Sequence, residues 1–272
     1  MEEFLKKLVK IISDNYLIEI TKIEKNVESS VGNVYIIYSN TTKFVVKIYD
    51  DLNHTKSMIQ LHSELSDKFY IPKIMQSKNN THYVEILTSK YIVLYSFLEG
   101  IQIGKKFDKL NEEIIKKIAL ELRKLHEFSS NINKYKLKEV PFLKSCDIER
   151  KSLLHFDLTK GNIFYDENKI GFIDFDDAKY GPSVCDVAIL IALLFFSKKR
   201  GVDNNSINLF IDTYYGKDLN LKMQETKYIK EIALNWINFT LKNNDFNPST
   251  TESFEVKKKL IEKKSFDEKG DN

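Results

Sequence analysis

Cysteine is nearly absent from this chain: Cys146 and Cys185 are the only two in 272 residues. They lie far apart, with no CxxC pair and no Cys/His spacing. That excludes a disulfide framework and a structural zinc site, and fits a reducing, cytoplasmic setting. Glycine (nine) and proline (four) are sparse, and neither builds a repeat or a low-complexity linker. No apolar run approaches the roughly 20 residues that a membrane-spanning helix needs; the longest, Val187 to Phe196, reads as a buried helix. The opening MEEFLKKLVK reads as a charged amphipathic helix rather than a secretory signal. Charge of one sign is lacking as well. Against 39 acids stand 42 bases, a net +3, which offers no field for nucleic acid or for a polycation.

What is present is an ordinary folded composition, 42% hydrophobic and 30% charged. Residues 2–16 read as a helix. Residues 17–25, 33–39 and 43–49 read as strands, the last two joined by a tight turn at Asn40-Thr41-Thr42. Residues 53–68 change to helical spacing, with Met58, Leu61 and Leu65 on one face. After Pro72, strands return at 73–77, 81–88 and 91–95. Asn111 is placed to cap a helix reaching Phe128, with Glu112 and Glu113 in its first turn. Residues 152–182 alternate short strands with loops, 183–198 form the buried helix, and 206–243 add helices around Trp236. From about 254 the chain reads as a charged tail with a frayed end. The fold class is α+β, with a sheet-based N-terminal part at 1–96 and a mainly helical part at 97–272.

Chemistry concentrates in 153–178, LLHFDLTKGNIFYDENKIGFIDFDDA. Asn162 follows Asp157 in a loop, and Asp174 comes after the apolar run Ile170 to Ile173. Phosphoryl transfer from Mg-ATP needs a carboxylate to orient the acceptor hydroxyl and take its proton. It also needs hard oxygen ligands to hold Mg²⁺ on the phosphates. H-x-D-x-x-x-x-N followed by I-D supplies both.

Residues 153–188 resemble the core of the aminoglycoside phosphotransferase and choline kinase superfamily, which has a protein-kinase-like two-lobed fold. Four other segments match in the same order: VVK (45–47), YIVLYSFLEG (91–100), LRKLH (122–126) and GPSVCDVA (181–188). The resemblance implies Asp157 as catalytic base and Asn162 and Asp174 as Mg²⁺ ligands. It places Lys47 against the α/β-phosphates and the loop ESSVGN, with Ser29, Ser30 and Gly32, over the nucleotide. Backbone at Tyr95, Ser96 and Phe97 would hold the adenine, with ATP and Mg²⁺ between a nucleotide-binding lobe (1–96) and a catalytic, substrate-binding lobe (97–272). His155 and His126 read as structural braces, and Asp186 as a helix cap or a brace for the 155–162 loop. Lys160 reads equally as a phosphate contact or a solvated loop residue, while Asp176 and Asp177 read more as solvated loop residues than as second metal-site or activation-segment acids. There are three departures. Position 156 is Phe where the family usually has Gly. Only one glycine lies in the phosphate loop. The acid that would pair with Lys47 is not evident, Glu64 being the only acid in 53–66.

The implied activity is transfer of the γ-phosphate of Mg-ATP to a hydroxyl of a small molecule: an aminoglycoside, amino alcohol, amino acid or sugar. The alternatives are a protein Ser/Thr kinase like the bacterial stress-response kinases, which DFDDAKYGP (174–182) also resembles, and an inactive nucleotide-binding module. A sequence pI near 8.5 and a lysine-rich stretch beyond 197 favour an acceptor with at most one or two positive charges over a polycationic aminoglycoside.

Overall fold

The computed structural model describes every residue except Met1, 27–32, Thr88, Asp108, 130–136, 144–147, Glu149, Asn168 and 267–272; for Glu2, Leu87 and Lys106 it describes the backbone only. The chain divides into two compact units, Met1–Glu99 and Gly100–Asn272.

The first unit opens with α1 (Glu2–Tyr16). Its residues Leu8, Ile12 and Tyr16, four apart, form a buried stripe. Strands β1 (Ile20–Lys25), β2 (Val34–Ser39), β3 (Lys43–Tyr49), β4 (Val84–Leu87) and β5 (Lys90–Ser96) make an antiparallel sheet in the order β1-β2-β3-β5-β4. One face, with Ile37, Val46, Ile48, Ile92 and Leu94, packs on the α1 stripe. Opposite residues of β3 and β5 turn the other way, and Tyr49, Val93 and Tyr95 form a second small core. Helix α2 (Leu52–Leu65), capped by Asp51, buries Met58, Leu61 and Leu65. Residues 73–77 are not the expected strand: Ile74 makes a single bridge to Tyr95. The preceding Pro72 has no N–H for a ladder, and only Lys73 and Met75 exchange bonds with β5.

The second unit starts with β6 (Ile101–Gln102) and a short turn of helix, α3 (Ile103–Lys106). Helix α4 (Glu112–Phe128) begins where Asn111 accepts from the Ile114 N–H. Then come β7 (Lys151–Leu154), β8 (Ile163–Asp166), β9 (Lys169–Phe172) and β10 (Lys179–Pro182), with β7 paired to β10 and β6-β8-β9 in a second small sheet. Helix α5 (Val184–Phe195) is apolar on all sides and buried along nearly its whole length. It stops earlier than its sequence suggests, because Phe196 turns extended into β11 (Phe196–Ser197), which pairs with β12 (Gly201–Val202) across a hairpin. Helices α6 (Asn204–Tyr215), α7 (Leu219–Thr226), α8 (Ile229–Asn243) and α9 (Pro248–Lys263) complete the unit.

Helix α9, starting at Pro248, replaces the expected charged tail over 254–263. Asn247 caps it and Pro248 starts it. Its apolar face is thin but anchored: Phe254 meets the Trp236 ring at 5.7 Å, and Ile261 is buried. The expected fraying at the end falls on 267–272, outside the described residues.

Candidate active site

The loop 155–162 leaves β7 and enters β8, and buried groups hold it from below. The Asp186 carboxylate, in the first turn of α5 and 1% exposed, accepts the His155 N–H at 2.7 Å and the Phe156 N–H at 2.9 Å. It also meets His126 Nε2 at 3.3 Å, while His126 Nδ1 lies 2.6 Å from the Tyr214 hydroxyl. Burial pushes the His126 pKa down, against the pull of Asp186. A neutral ring then donates from Nε2 to the carboxylate and accepts from Tyr214 at Nδ1. His155 is likewise buried and its pKa lowered, again chiefly by burial. Its Nε2 donates to the Ile173 carbonyl at 2.9 Å, and its Nδ1 accepts the Asp157 N–H at 3.4 Å. Both histidines and Asp186 are therefore braces of the loop.

Asp157 and Asn162 are brought together. Asn162 Nδ2 lies 2.8 Å from both the carbonyl and the Oδ2 carboxylate oxygen of Asp157. With both amide hydrogens committed, Asn162 presents its Oδ1 oxygen as an acceptor for a cation. The β8–β9 hairpin pairs Ile163 with Phe172, and the Ile173 N–H donates to the Asn162 carbonyl at 3.0 Å. Asn162 and Asp174 thus stand at the open end of one hairpin. Asp174 has φ of 70°, a left-handed conformation uncommon for a non-glycine residue. Both side chains are half-buried, a setting that leaves a carboxylate and an amide oxygen reachable. Among the described residues no group of three His, Cys, Asp or Glu side chains gathers to hold a metal. The donor set is instead two hard oxygen groups, which fits Mg²⁺ completed by phosphate oxygens and water.

Phe156 has φ of 69°, which gives a physical reason for the glycine usual at this position. Its ring stacks on Phe142 at 5.9 Å, Phe142 meets Phe239 at 5.9 Å, and Lys179 Nζ lies 5.4 Å over the Phe156 ring. Asp177 is exposed and lies 4.0 Å from Lys179. Asp176 is half-buried in the turn Phe175–Asp177. Lys160 is half-buried. Its carbonyl accepts the Gly104 N–H at 3.1 Å, and Gln102 Nε2 holds the Gly161 carbonyl at 2.8 Å. The Gln102, Gly104 and Tyr214 contacts are beyond sequence reasoning, because each joins positions tens of residues apart.

In the first unit, Lys47 is half-buried in mid-β3, between Val34 of β2 and Val93 of β5. Glu64 sits half-buried near the end of α2. Of the expected adenine segment, the Ser96 N–H is already committed to the Lys73 carbonyl at 2.8 Å, and Tyr95 is paired in the sheet and bridged to Ile74. The β3–β5 ladder ends at Phe44–Ser96, so the Phe97 peptide lies beyond it. Ser29, Ser30 and Gly32 lie outside the described residues.

The fold is the one seen in kinase-type phosphotransferases. Residues 137–207 match the family described as the phosphotransferase enzyme family. The chain carries the fold of the aminoglycoside phosphotransferase and choline kinase superfamily over nearly its whole length. An amicoumacin kinase bound to AMP-PNP, Ca²⁺ and Ami is similar with a TM-score of 0.72 at 14% identity, covering 98% of this chain and 97% of that one. Spectinomycin phosphotransferase, bound to ADP and spectinomycin, gives 0.64 at 17% identity, covering 94% and 96%. A choline kinase from Streptococcus pneumoniae gives 0.63 at 14% identity, covering 96% and 99%. A comparison with functionally curated proteins returns no match. Among the described residues no helix is long and apolar enough to cross a membrane.

Proposed function

We propose that this chain transfers the γ-phosphate of Mg-ATP to a hydroxyl group of a small molecule. The observation that carries the reading is the Asp157–Asn162 pair at the open end of the hairpin that ends in Asp174. Asp157 aligns the acceptor hydroxyl and takes its proton. The bond from Asn162 fixes the carboxylate rotamer, so one oxygen is held and the other serves the acceptor. Asn162 Oδ1 and Asp174 would hold Mg²⁺, which when bound offsets charge on the phosphate oxygens. Lys47 would pair with the α/β-phosphates, Ser29, Ser30 and Gly32 would cover them, and the Phe97 peptide is the best-placed partner for adenine.

The acceptors named for the similar proteins, spectinomycin and choline, are hydroxyl compounds with amine or ammonium groups. An acceptor with at most one or two positive charges is the reading we favour for this chain, given its sequence pI of about 8.5. A coupled ADP-release screen over amino alcohols, hydroxy amino acids, sugars and aminoglycosides, with and without Mg²⁺, tests the proposal. Mg²⁺-dependent ADP release with one acceptor class supports it. Absence of turnover together with absence of Mg-nucleotide binding would refute it.

A further inference from the structure

Four segments far apart in the sequence meet beside Asp157. Phe156, the residue before the proposed base, is 7% exposed. Phe142 stacks on it with ring centroids 5.9 Å apart, and Phe239 of α8 meets Phe142 at 5.9 Å. Lys179, the first residue of β10, pairs with Leu154 at the end of β7, and its Nζ lies 5.4 Å over the Phe156 ring. The segment before Phe142 is pinned to the same strand. The Tyr180 N–H donates to the Lys138 carbonyl at 3.1 Å, and Val140 lies so close to β10 that a Cβ at Gly181 would meet its Cγ2 at 2.8 Å. Glycine at 181 thus lets this segment lie along β10 and bring Phe142 to Phe156.

The Lys179 ammonium is poorly compensated in this setting. Its side chain is 16% exposed, and the carboxylate it meets, Asp177, is 4.0 Å away with its own side chain 73% exposed. Burial lowers the Lys179 pKa, Asp177 pulls it back, and the Lys138 charge adds to the fall. An ion pair this long and this exposed contributes little, and a ring face replaces only part of the lost hydration. The ammonium is stabilised when an anionic group comes to it. A cationic head group meets the reverse, because Lys179 already holds the place over the Phe156 ring that it would take. Phe142 and Phe239 are half-buried and offer apolar surface to a carbon skeleton.

We infer that Lys179 selects the acceptor by pairing with a carboxylate on the molecule whose hydroxyl Asp157 aligns, with Phe142, Phe156 and Phe239 as the wall for its carbon skeleton. The acceptor class is a small hydroxy acid, hydroxy amino acids included. The inference rests on the phosphotransferase reading and deepens it. With the carboxylate on Lys179, the hydroxyl end is left for Asp157.

The test uses acceptor pairs that differ only in the carboxylate: L-homoserine against propanolamine, and L-serine against ethanolamine. ADP release by the full chain gives kcat/KM for each, and Mg-AMP-PNP binding is measured separately by calorimetry. We expect the acid of a pair to be preferred by about tenfold or more, the scale of one charge-assisted contact. Lys179→Met keeps a stem over the ring and loses the charge, and it should cut that preference about tenfold. Lys179→Arg, which keeps the charge, should restore most of it. Lys138→Gln, which removes an exposed neighbouring cation, should leave it unchanged. A lysine that only braced the rings would instead lower both members of a pair together. Equal use of acid and amine, preference for the amine, a preference that survives Lys179→Met, or no turnover of either acid by a chain that binds Mg-AMP-PNP would overturn the inference and leave the phosphotransferase reading standing. Failure of that reading shows separately, as no binding of Mg-AMP-PNP and no ADP release with any acceptor, and it takes the inference with it.

Discussion

Asn162 spends both hydrogens of its side-chain amide on Asp157, one on the carbonyl and one on Oδ2, each at 2.8 Å. This bond pair does two things at once. It locks the carboxylate against rotation, and it turns the amide oxygen to the opposite side, where a cation can use it. A side chain that binds only its own loop would be an ordinary turn residue. One that also presents an oxygen at the hairpin end shared with Asp174 would link the proposed base to the proposed metal position.

Asp157→Asn is expected to keep the fold, because the amide oxygen can still accept from Asn162. It removes the proton acceptor. Turnover should fall by about 10²–10⁴, while Mg-nucleotide affinity by calorimetry stays within about threefold. Turnover near that of the parent chain would remove Asp157 from the role of base.

Asp174→Asn separates charge from backbone. Asparagine tolerates the left-handed conformation that Asp174 adopts at φ of 70°, so the thermal midpoint should change little. The lost negative charge should appear as weaker Mg²⁺-dependent binding of AMP-PNP and as a shift of the Mg²⁺ optimum to higher concentration. Unchanged metal dependence would show that Asp174 holds no cation.

Phe156→Gly sets two terms against each other. Glycine relieves a left-handed backbone that costs a non-glycine residue about 1–2 kcal/mol. It also deletes a ring that is 7% exposed and stacked on Phe142, worth about 3–5 kcal/mol when truncated. Packing wins, so the variant should be less stable by about 2 kcal/mol in urea denaturation. It should also alter the acceptor KM more than the ATP KM, because the ring neighbours Asp157. A variant more stable than the parent would mean that strain dominates.

The sequence made the site's residue types readable because they are local: Asp157, Asn162 and Asp174 fall within one hairpin and its entry loop. The core strands and α4 were legible through period and caps, as at Asn111. What escaped depends on distance along the chain. Nothing in the pattern joins His126 to Tyr214, or Gln102 to Gly161, because each pairing is made by the fold. Helix α9 escaped because its charged residues outnumber the few apolar ones that dock it, and Lys257 buries its stem although it is a lysine.

The His126–Asp186 contact implies an acid limit. His126 has a folded pKa below 6.5 and an unfolded value near 6.5. As pH falls through about 6.5 the unfolded chain takes up a proton that the folded chain refuses, so stability is lost from there downwards. Urea midpoints at pH 7.5, 6.5 and 5.5 should decline, with His126→Gln reducing the slope by at most about 1.4 kcal/mol per pH unit. Asp186→Ala should be the harsher change, costing about 3–5 kcal/mol because it strands two buried backbone N–H groups and His126. An unchanged pH slope in His126→Gln would show that the acid limit arises elsewhere.

Lys257 should produce a dependence of the same sign at higher pH. Its folded pKa is about 7 against 10.5 in the unfolded chain. Between those values the unfolded chain holds a proton that the folded chain lacks, so this residue's contribution to stability rises with pH across that window and is flat outside it. Lys257→Met removes the buried ammonium but also two bonds, to the Ala192 and Leu193 carbonyls. Near pH 7 the charge penalty dominates, and the variant should unfold at higher urea than the parent. Towards pH 10 the neutral amine keeps its bonds without that penalty, and the order should narrow or reverse, by at most about 1.4 kcal/mol per pH unit. Urea midpoints of the two chains at pH 7, 8.5 and 10 decide the matter. A constant difference across that range would show that Lys257 is protonated throughout and that its two carbonyl bonds, rather than its titration, set its effect.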